Sequence, residues 1–179
     1  TVKRVLTDWQ GKIDSLAIVG VFSSLKNDQE EQVASWAEEI LGGDVAISQS
    51  ARIGSVGLIE RENATILNAA LNKVMISLTN GFEASLMKEG IDEAEVFLCQ
   101  NDGTLMSIDY ARQFPILTIA CGPTNSIRGA SYLAGLKNAI VLDVGGTTSD
   151  VGVLVDGFPR ESSLAVDVGG IRTNFRMPD

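Results

Sequence analysis

Two apolar runs of strand-forming residues, Ala139–Val144 and Val151–Val155, are separated by a polar, glycine-containing loop that reads D-V-G-G-T-T-S-D over Asp143–Asp150. A buried strand that ends in a carboxylate and leaves through paired glycines leads to few folds, and its residue types suit phosphate. Gly145 and Gly146 permit tight or positive-φ backbone and leave amides uncovered. Thr147 and Thr148 add hydroxyls of a size to meet phosphate oxygens. The flanking Asp143 and Asp150 can hold Mg²⁺ through its waters, because magnesium keeps much of its hydration and prefers carboxylate oxygens. The same letters also suit a hairpin turn in which glycine and threonine only shape the bend. The exit from a buried strand, the flanking carboxylates and the consecutive hydroxyls favour the phosphate reading. No Lys follows the glycines, as a Walker A loop requires, and no helix opens there, as a dinucleotide fingerprint requires.

The chain before this loop alternates between strand and helix signals. Leu16–Phe22 reads as a buried strand. Asn27 and Glu30 have capping-box spacing, followed by the apolar face Val33, Trp36, Ala37, Ile40 and Leu41 up to Gly42–Gly43. Val45–Ile47 predicts a short strand. A long helical pattern then runs from about Leu58 to Lys88, with Leu67, Leu71, Val74, Met75, Leu78, Phe82 and Leu86 at three- and four-residue spacing and Gly81 as a break point. Glu95–Gln100 predicts a strand that turns at Asn101–Asp102–Gly103 into Thr104–Ser107. Ile116–Cys121 predicts a further strand, and Pro123 the first turn of a helix reaching about Leu136. After the loop, Asp156–Gly157 signals a hairpin, which predicts that Val151–Val155 pairs antiparallel with an extended segment over Ser162–Val168. The change of character places a boundary near Lys137–Asn138, giving a first α/β part over 1–137 and the opening strands of a second unit over 138–179.

Two further constellations can touch a ligand. Cys121–Gly129 sets a helix N-terminus beside Thr124, Asn125, Ser126 and Arg128, which suits either anion contact or plain capping. Asp167–Asn174 repeats the Asp-x-Gly-Gly theme and offers Arg172 and Thr173 for a substrate or interdomain contact. With 23 acidic against 14 basic residues the net charge is −9, so the chain has no general attraction for nucleic acid or anionic lipid. A nucleotide would have to be held by backbone amides and a cation. The absence of histidine and the presence of only two cysteines exclude His-based zinc sites, His-assisted nucleophiles and a structural zinc cluster within the sequence. Cys99 and Cys121 lie in apolar stretches and read as buried free thiols. No apolar run is long enough to span a membrane and no basic segment leads into one at the N-terminus, so cytoplasm is the expected location.

Asp143–Asp150 followed by V-G-V-L-V-D-G resembles the second phosphate loop of the actin-like ATPase and sugar-kinase superfamily. The fuller resemblance is to the hydantoinase A/5-oxoprolinase family, through Gly122–Ala130 and Asp143–Asp150 about twenty residues apart. Glu60–Asn63 with Leu67–Asn68–Ala69, and Asn101–Asp102–Gly103 with Met106, are similar to that family too. Departures are Cys121 where the family more often has Ser, and Thr148–Ser149–Asp150 where Ser-Thr-Asp is commoner. Neither the first phosphate loop nor the adenosine loop is found, so the resemblance implies a fragment of a longer protein, with little activity in isolation. It implies an α/β, ribonuclease-H-like fold duplicated in the whole protein, with ATP and Mg²⁺ between the halves. It also implies ATP-coupled opening of a cyclic amide such as a hydantoin or 5-oxoproline, with a second large, hydantoinase B-like subunit or domain as partner. On this chain Gly145, Gly146, Thr147 and Thr148 would cradle the β- and γ-phosphates. Asp143 would hold magnesium through water, and Asp150 would orient water or a substrate oxygen. Related readings are an ATP-dependent ketone carboxylase subunit and a non-catalytic, nucleotide-gated scaffold.

Overall fold

Strand, helix and strand alternate first as a βαβ unit: β1 (Ser15–Ile18), α2 (Asp28–Leu41) and β2 (Ala46–Gln49), with β1 and β2 parallel and Ser15 opposite Ala46. The computed structural model describes residues 1–54, 56–91, 93–162 and 166–174. A short helix, α1 (Val2–Trp9), precedes the unit and packs on α2, burying Leu6. After the four-residue helix α3 (Ser50–Ile53) comes α4 (Leu58–Lys88), 31 residues without interruption. Gly81 does not break it; at a helix interior the glycine costs about 1 kcal/mol, which the packing of α4 overrides. The hairpin of β3 (Phe97–Cys99) and β4 (Leu105–Ser107) turns at Asn101–Gly103 as read, and leads into α5 (Ile108–Gln113). The Ser107 hydroxyl caps α5 by accepting the Tyr110 N–H at 3.3 Å. Among the described residues no helix is long and apolar enough to cross a membrane.

The segment predicted as strand Ile116–Cys121 is instead a 3₁₀ turn over Pro115–Thr118, and α6 begins at Cys121 (Cys121–Ala134). Asn68 of α4 explains the difference. Its Oδ1 accepts the Ile116 N–H at 3.2 Å, and its Nδ2 donates to the Gln113 carbonyl at 2.9 Å and to Ser48 Oγ at 2.9 Å. A buried side chain thus satisfies backbone groups that a strand would have paired with a neighbour. Ile116 then packs with Ala64 at one end of the core, while Met75, Met106 and Ala111 form the other, and Leu117 touches both.

Two more expectations fail near the N-terminus, for one reason. The predicted strand Leu16–Phe22 stops at Ile18, and the capping box from Asn27 to Glu30 does not form. Asn27 turns its amide to Glu31 at 2.7 Å, while Glu30 points inward and is 1% exposed. Glu30 accepts the Gly20 N–H at 2.7 Å, the Ser50 hydroxyl at 2.5 Å and the Ala51 N–H at 2.9 Å. Arg61, equally buried, donates to Ser50 Oγ at 3.0 Å and to the carbonyls of Gly20 at 2.7 Å and Val21 at 3.2 Å. The chain beyond Ile18 is therefore bent around this cluster. Burial pushes the Glu30 carboxyl up, but the bonds from Ala51, Ser50, Gly20 and Ser23 outweigh it and hold the group below its ordinary value.

The C-terminal sheet has the order β5 (Ala139–Val144), β6 (Ser149–Val155), β7 (Phe158–Pro159), all antiparallel, with α6 across one face. The hairpin at Asp156–Gly157 is present, but the strand that β6 meets across it is β7, ahead of the predicted partner Ser162–Val168. Tight φ-positive residues at both turn positions bring the chain straight back, and the Arg160 N–H bonds Val153 O at 2.7 Å. Of the predicted partner, residues 163–165 lie outside the described residues, and β8 (Val166–Val168) pairs with β9 (Ile171–Thr173). That second hairpin sits on α4: Asn63 Nδ2 donates to the Arg172 carbonyl at 2.9 Å, and Arg172 Nε lies 3.8 Å from Glu60. Gly152 of β6 is required by α6, since a Cβ there would collide with Ile127 Cδ1.

Gly152→Ala is expected to destabilise the protein by about 1–3 kcal/mol through overpacking, read as a lower urea midpoint, and Ile127→Val in the same chain should recover part of the loss. Glu30→Gln is expected to cost about 1–3 kcal/mol at neutral pH. Because the folded carboxyl titrates below its unfolded value, the stability it adds is present above the unfolded pKa and is lost as pH falls through the lowered one. Wild type and variant should therefore converge in acid in a pH series of denaturation curves.

Candidate functional site

The turn between β5 and β6 is tighter than the sequence requires. Val144 pairs with Ser149, and the Gly145 N–H bonds the Thr148 carbonyl at 2.9 Å, which leaves Gly146 and Thr147 as a two-residue tip. Neither glycine has positive φ. The Gly145 amide is thus spent on closing the turn and is not available to a phosphate. The Gly146 and Thr147 amides and the hydroxyls of Thr147 and Thr148 have no partner among the described residues, and all three residues are exposed. A Cβ on Gly146 would meet nothing within 4 Å.

At the base of the turn Asp143 and Asp150 are direct cross-strand partners. Such a pair holds its Cβ atoms about 4.5–5.5 Å apart, and like charges so placed repel. Among the described residues neither carboxylate has an ion-pair partner, so a cation or a proton donor is what the arrangement lacks electrostatically. In register they follow Val141–Gly152, the pair lying under Ile127, and so they share the face covered by α6. α6 enters β5 through the short link 135–138 and packs along it, so helix and strand run antiparallel. The N-terminal turn of α6 is therefore at the same end of the sheet as Asp143 and Asp150. That turn has no side-chain cap, and its cap residue, Ala120, stands in the left-handed region at φ 61°.

The remaining candidates divide. Thr124 is fully buried and donates to the Asn101 carbonyl at 2.9 Å and to Ala120 O at 3.2 Å, so it fastens α6 to the β3–β4 turn. Arg128 donates to the Gly157 carbonyl and stacks 4.5 Å over the Phe158 ring, fastening the other end. Asn125 and Ser126 make no side-chain hydrogen bond among the described residues. Thr173 is buried with its hydroxyl on Val166 O at 2.9 Å, and Arg172 is held at Glu60 of α4, away from the phosphate-type turn. Cys99 and Cys121 are free, as read, and half-buried rather than buried. Burial pushes the Cys121 thiol up, and the charge of nearby Cys99 adds to the effect, so Cys121 is a protonated, weak nucleophile.

The sequence profile described as Hydantoinase/oxoprolinase matches residues 61–179. No curated protein matches the sequence. Among solved structures, the chain is similar to a nucleotide-free acetone carboxylase, studied for ATP-dependent acetone carboxylation, with TM-score 0.72 and 22% identity over 99% of this chain and 26% of that one. It is also similar to an ATP-dependent caprolactamase from Pseudomonas jessenii, with TM-score 0.74 and 20% identity over 94% of this chain and 24% of that one. The chain thus spans about a quarter of the length of either solved protein.

Ala120→Gly is expected to stabilise the protein by about 0.5–1 kcal/mol, since the left-handed conformation penalises a Cβ by more than the added unfolded-state freedom of glycine. A raised urea midpoint at unchanged slope is the expected reading.

Proposed function

Because this chain belongs to the hydantoinase/oxoprolinase family, we propose that it supplies part of the nucleotide site of an ATP-dependent enzyme that opens a cyclic amide of the hydantoin or 5-oxoproline type. The supporting observation is the cross-strand pair Asp143–Asp150 beneath a tip of free amides and hydroxyls. In this reading the fold is ribonuclease-H-like, residues 138–179 open its second lobe, and a large hydantoinase B-like subunit or domain completes the enzyme in the cytoplasm. The fit to magnesium rests on the donor set: Mg²⁺ takes one or two carboxylates and keeps its waters and phosphate oxygens as the other ligands. ATP would supply the phosphoryl group that activates the amide carbonyl oxygen, and Mg²⁺ the charge that balances it.

The roles of the chain's own residues follow from their positions. The Gly146 and Thr147 amides, with the Thr147 and Thr148 hydroxyls, hold phosphate oxygens at the tip. Gly145 acts one step removed, by fixing the turn through its bond to Thr148. Asp143, the more sheltered of the two carboxylates, orders the water around the cation, and Asp150 orients a water or substrate oxygen. Preorganised donors of this kind stabilise developing charge without reorganisation during the reaction. A ketone carboxylase subunit is the second reading, supported by the similarity over 99% of this chain to the acetone carboxylase.

In the complete enzyme Asp143→Asn is expected to lower turnover by about 10²–10³ while ATP binding is largely kept, in line with removing one preorganised electrostatic contact. Thr148→Ala should cost about tenfold, as for a neutral hydrogen bond. ATP turnover is measured against magnesium concentration. An unchanged rate with an unchanged half-saturation for magnesium would end the metal role of Asp143. Stimulation of phosphate release by hydantoin or 5-oxoproline supports amide opening, whereas stimulation only by a ketone with bicarbonate replaces it with carboxylation.

A further inference from the structure

Far along α4 from its Arg61 end, the last turns of the helix, the described residues 91 and 94–96, the β3–β4 hairpin and the start of α5 line an open groove of about 400 Å³. Its volume is in the range of anchor and ligand pockets, about 300–1,000 Å³. The floor is apolar and uncovered: Met87 is 68% exposed, Phe97 53% and Ile91 50%. Three carboxylates stand around it, Glu83, Glu95 and Asp109. Among the described residues, the cation that pairs with them is Arg112. Arg112 bonds Glu83 at 2.6 Å and reaches Asp109 at 3.4 Å, while also donating to Thr79 and Asn80. That guanidinium is thus committed, Asp109 remains 89% exposed, and Glu95 has no ion-pair partner among the described residues. Of the flanking charges, Lys88 is offset by Glu89, and Glu93 adds to the negative side.

We propose that this groove docks a basic, amphipathic helix of a partner polypeptide, its aliphatic residues on Met87, Ile91 and Phe97 and its lysines or arginines against Glu95 and Asp109. Contiguous exposed apolar surface is a liability that soluble proteins retain where something covers it. The charge pattern selects the occupant. An apolar floor alone would accept any hydrophobic segment, but a net negative rim rejects an acidic one and steers a basic one into place. A helix presenting anchors at i, i+3, i+4 and i+7 matches a groove whose one wall is itself the side of a helix. The proposal does not depend on the phosphate-type turn or on the reaction assigned to it.

The test uses a fluorescein-labelled synthetic peptide with leucines at i, i+3, i+4 and i+7 and lysines elsewhere, titrated with the protein and followed by anisotropy. Saturable binding is expected, weakened about tenfold by Glu95→Lys and by Phe97→Ser. Glu38→Lys, an equal charge change on the outer side of α2, should leave the affinity within about twofold, since exposed charges beyond a Debye length are screened. All three sites are exposed, so the variants keep the fold, which circular dichroism verifies. Failure to bind overturns the proposal. So does equal weakening by Glu38→Lys, which would mean general attraction to an acidic protein, or equal affinity for an isomer with leucines at alternate positions. Displacement of the peptide by hexylammonium at comparable affinity would assign the groove to a small amphipathic cation instead.

Discussion

The fold depends on polar side chains that α4 turns toward the rest of the molecule. Arg61, Asn63, Asn68 and Asn72 donate to main-chain carbonyls in three other segments: Gly20, Arg172, and the neighbours Gln113 and Arg112. Irregular backbone packed against a helix must find partners for its carbonyls or lose several kcal/mol per orphaned group. Here the helix itself supplies them, so the loop after β1, the turn before the 3₁₀ segment and the β8–β9 hairpin are all fixed to one rod. Replacing Asn68 by a hydrophobic of similar size would keep the packing and remove the donor to the Gln113 carbonyl. The apolar core, by contrast, is divided, with Ala64 and Ile116 at one end and Met75, Met106 and Ala111 at the other. Polar pinning thus adds to the continuity that Leu117 provides by touching both ends.

That division of labour explains what was legible in the sequence. Apolar periodicity placed α4 over Leu58–Lys88 and the Asn101–Asp102–Gly103 signal placed the β3–β4 turn, because both signals are local. Two of the failures are places where a distant side chain decides the backbone. Ile116–Cys121 has the composition of a strand, and only Asn68, far off in sequence, makes a 3₁₀ turn the better satisfied state. Glu30 has the spacing of a capping residue, but three donors from the ends of β1 and β2 offer it a better environment than its own helix does. A carboxylate three residues after a cap carries no local mark of which partner will win. The turn at Asp143–Asp150 was legible as a strand connection, while the loss of the Gly145 amide to Thr148 was not, since hydrogen-bond register within a hairpin is not written in its composition.

Register is what gives the two aspartates their meaning. In β5, alternate residues Ile140, Leu142 and Val144 point away from α6 and are exposed, while Val141 and Asp143 share the other face. Alternation alone does not choose between these faces, because both are largely apolar, and a strand buried on one side only normally shows the choice as polar against apolar. A slip of one residue would send Asp143 outward and bring Leu142 or Val144 under the helix.

The contact that prevents the slip is Gly152 under Ile127. At Gly152 of β6 a Cβ would collide with Ile127 of α6, and Gly152 pairs with Val141. Shifting β6 by one residue would bring Val151 or Val153 beneath Ile127, where their β-branched side chains would overlap the Ile127 side chain. The helix therefore selects the strand register, and the register sets Asp143 opposite Asp150 at the end of the sheet where the helix begins. Arg128 and Thr124 hold that helix at either side of Ile127, one through the Gly157 turn and the other through Asn101. These residues need not touch a ligand to matter to the site: they fix the face on which its carboxylates stand.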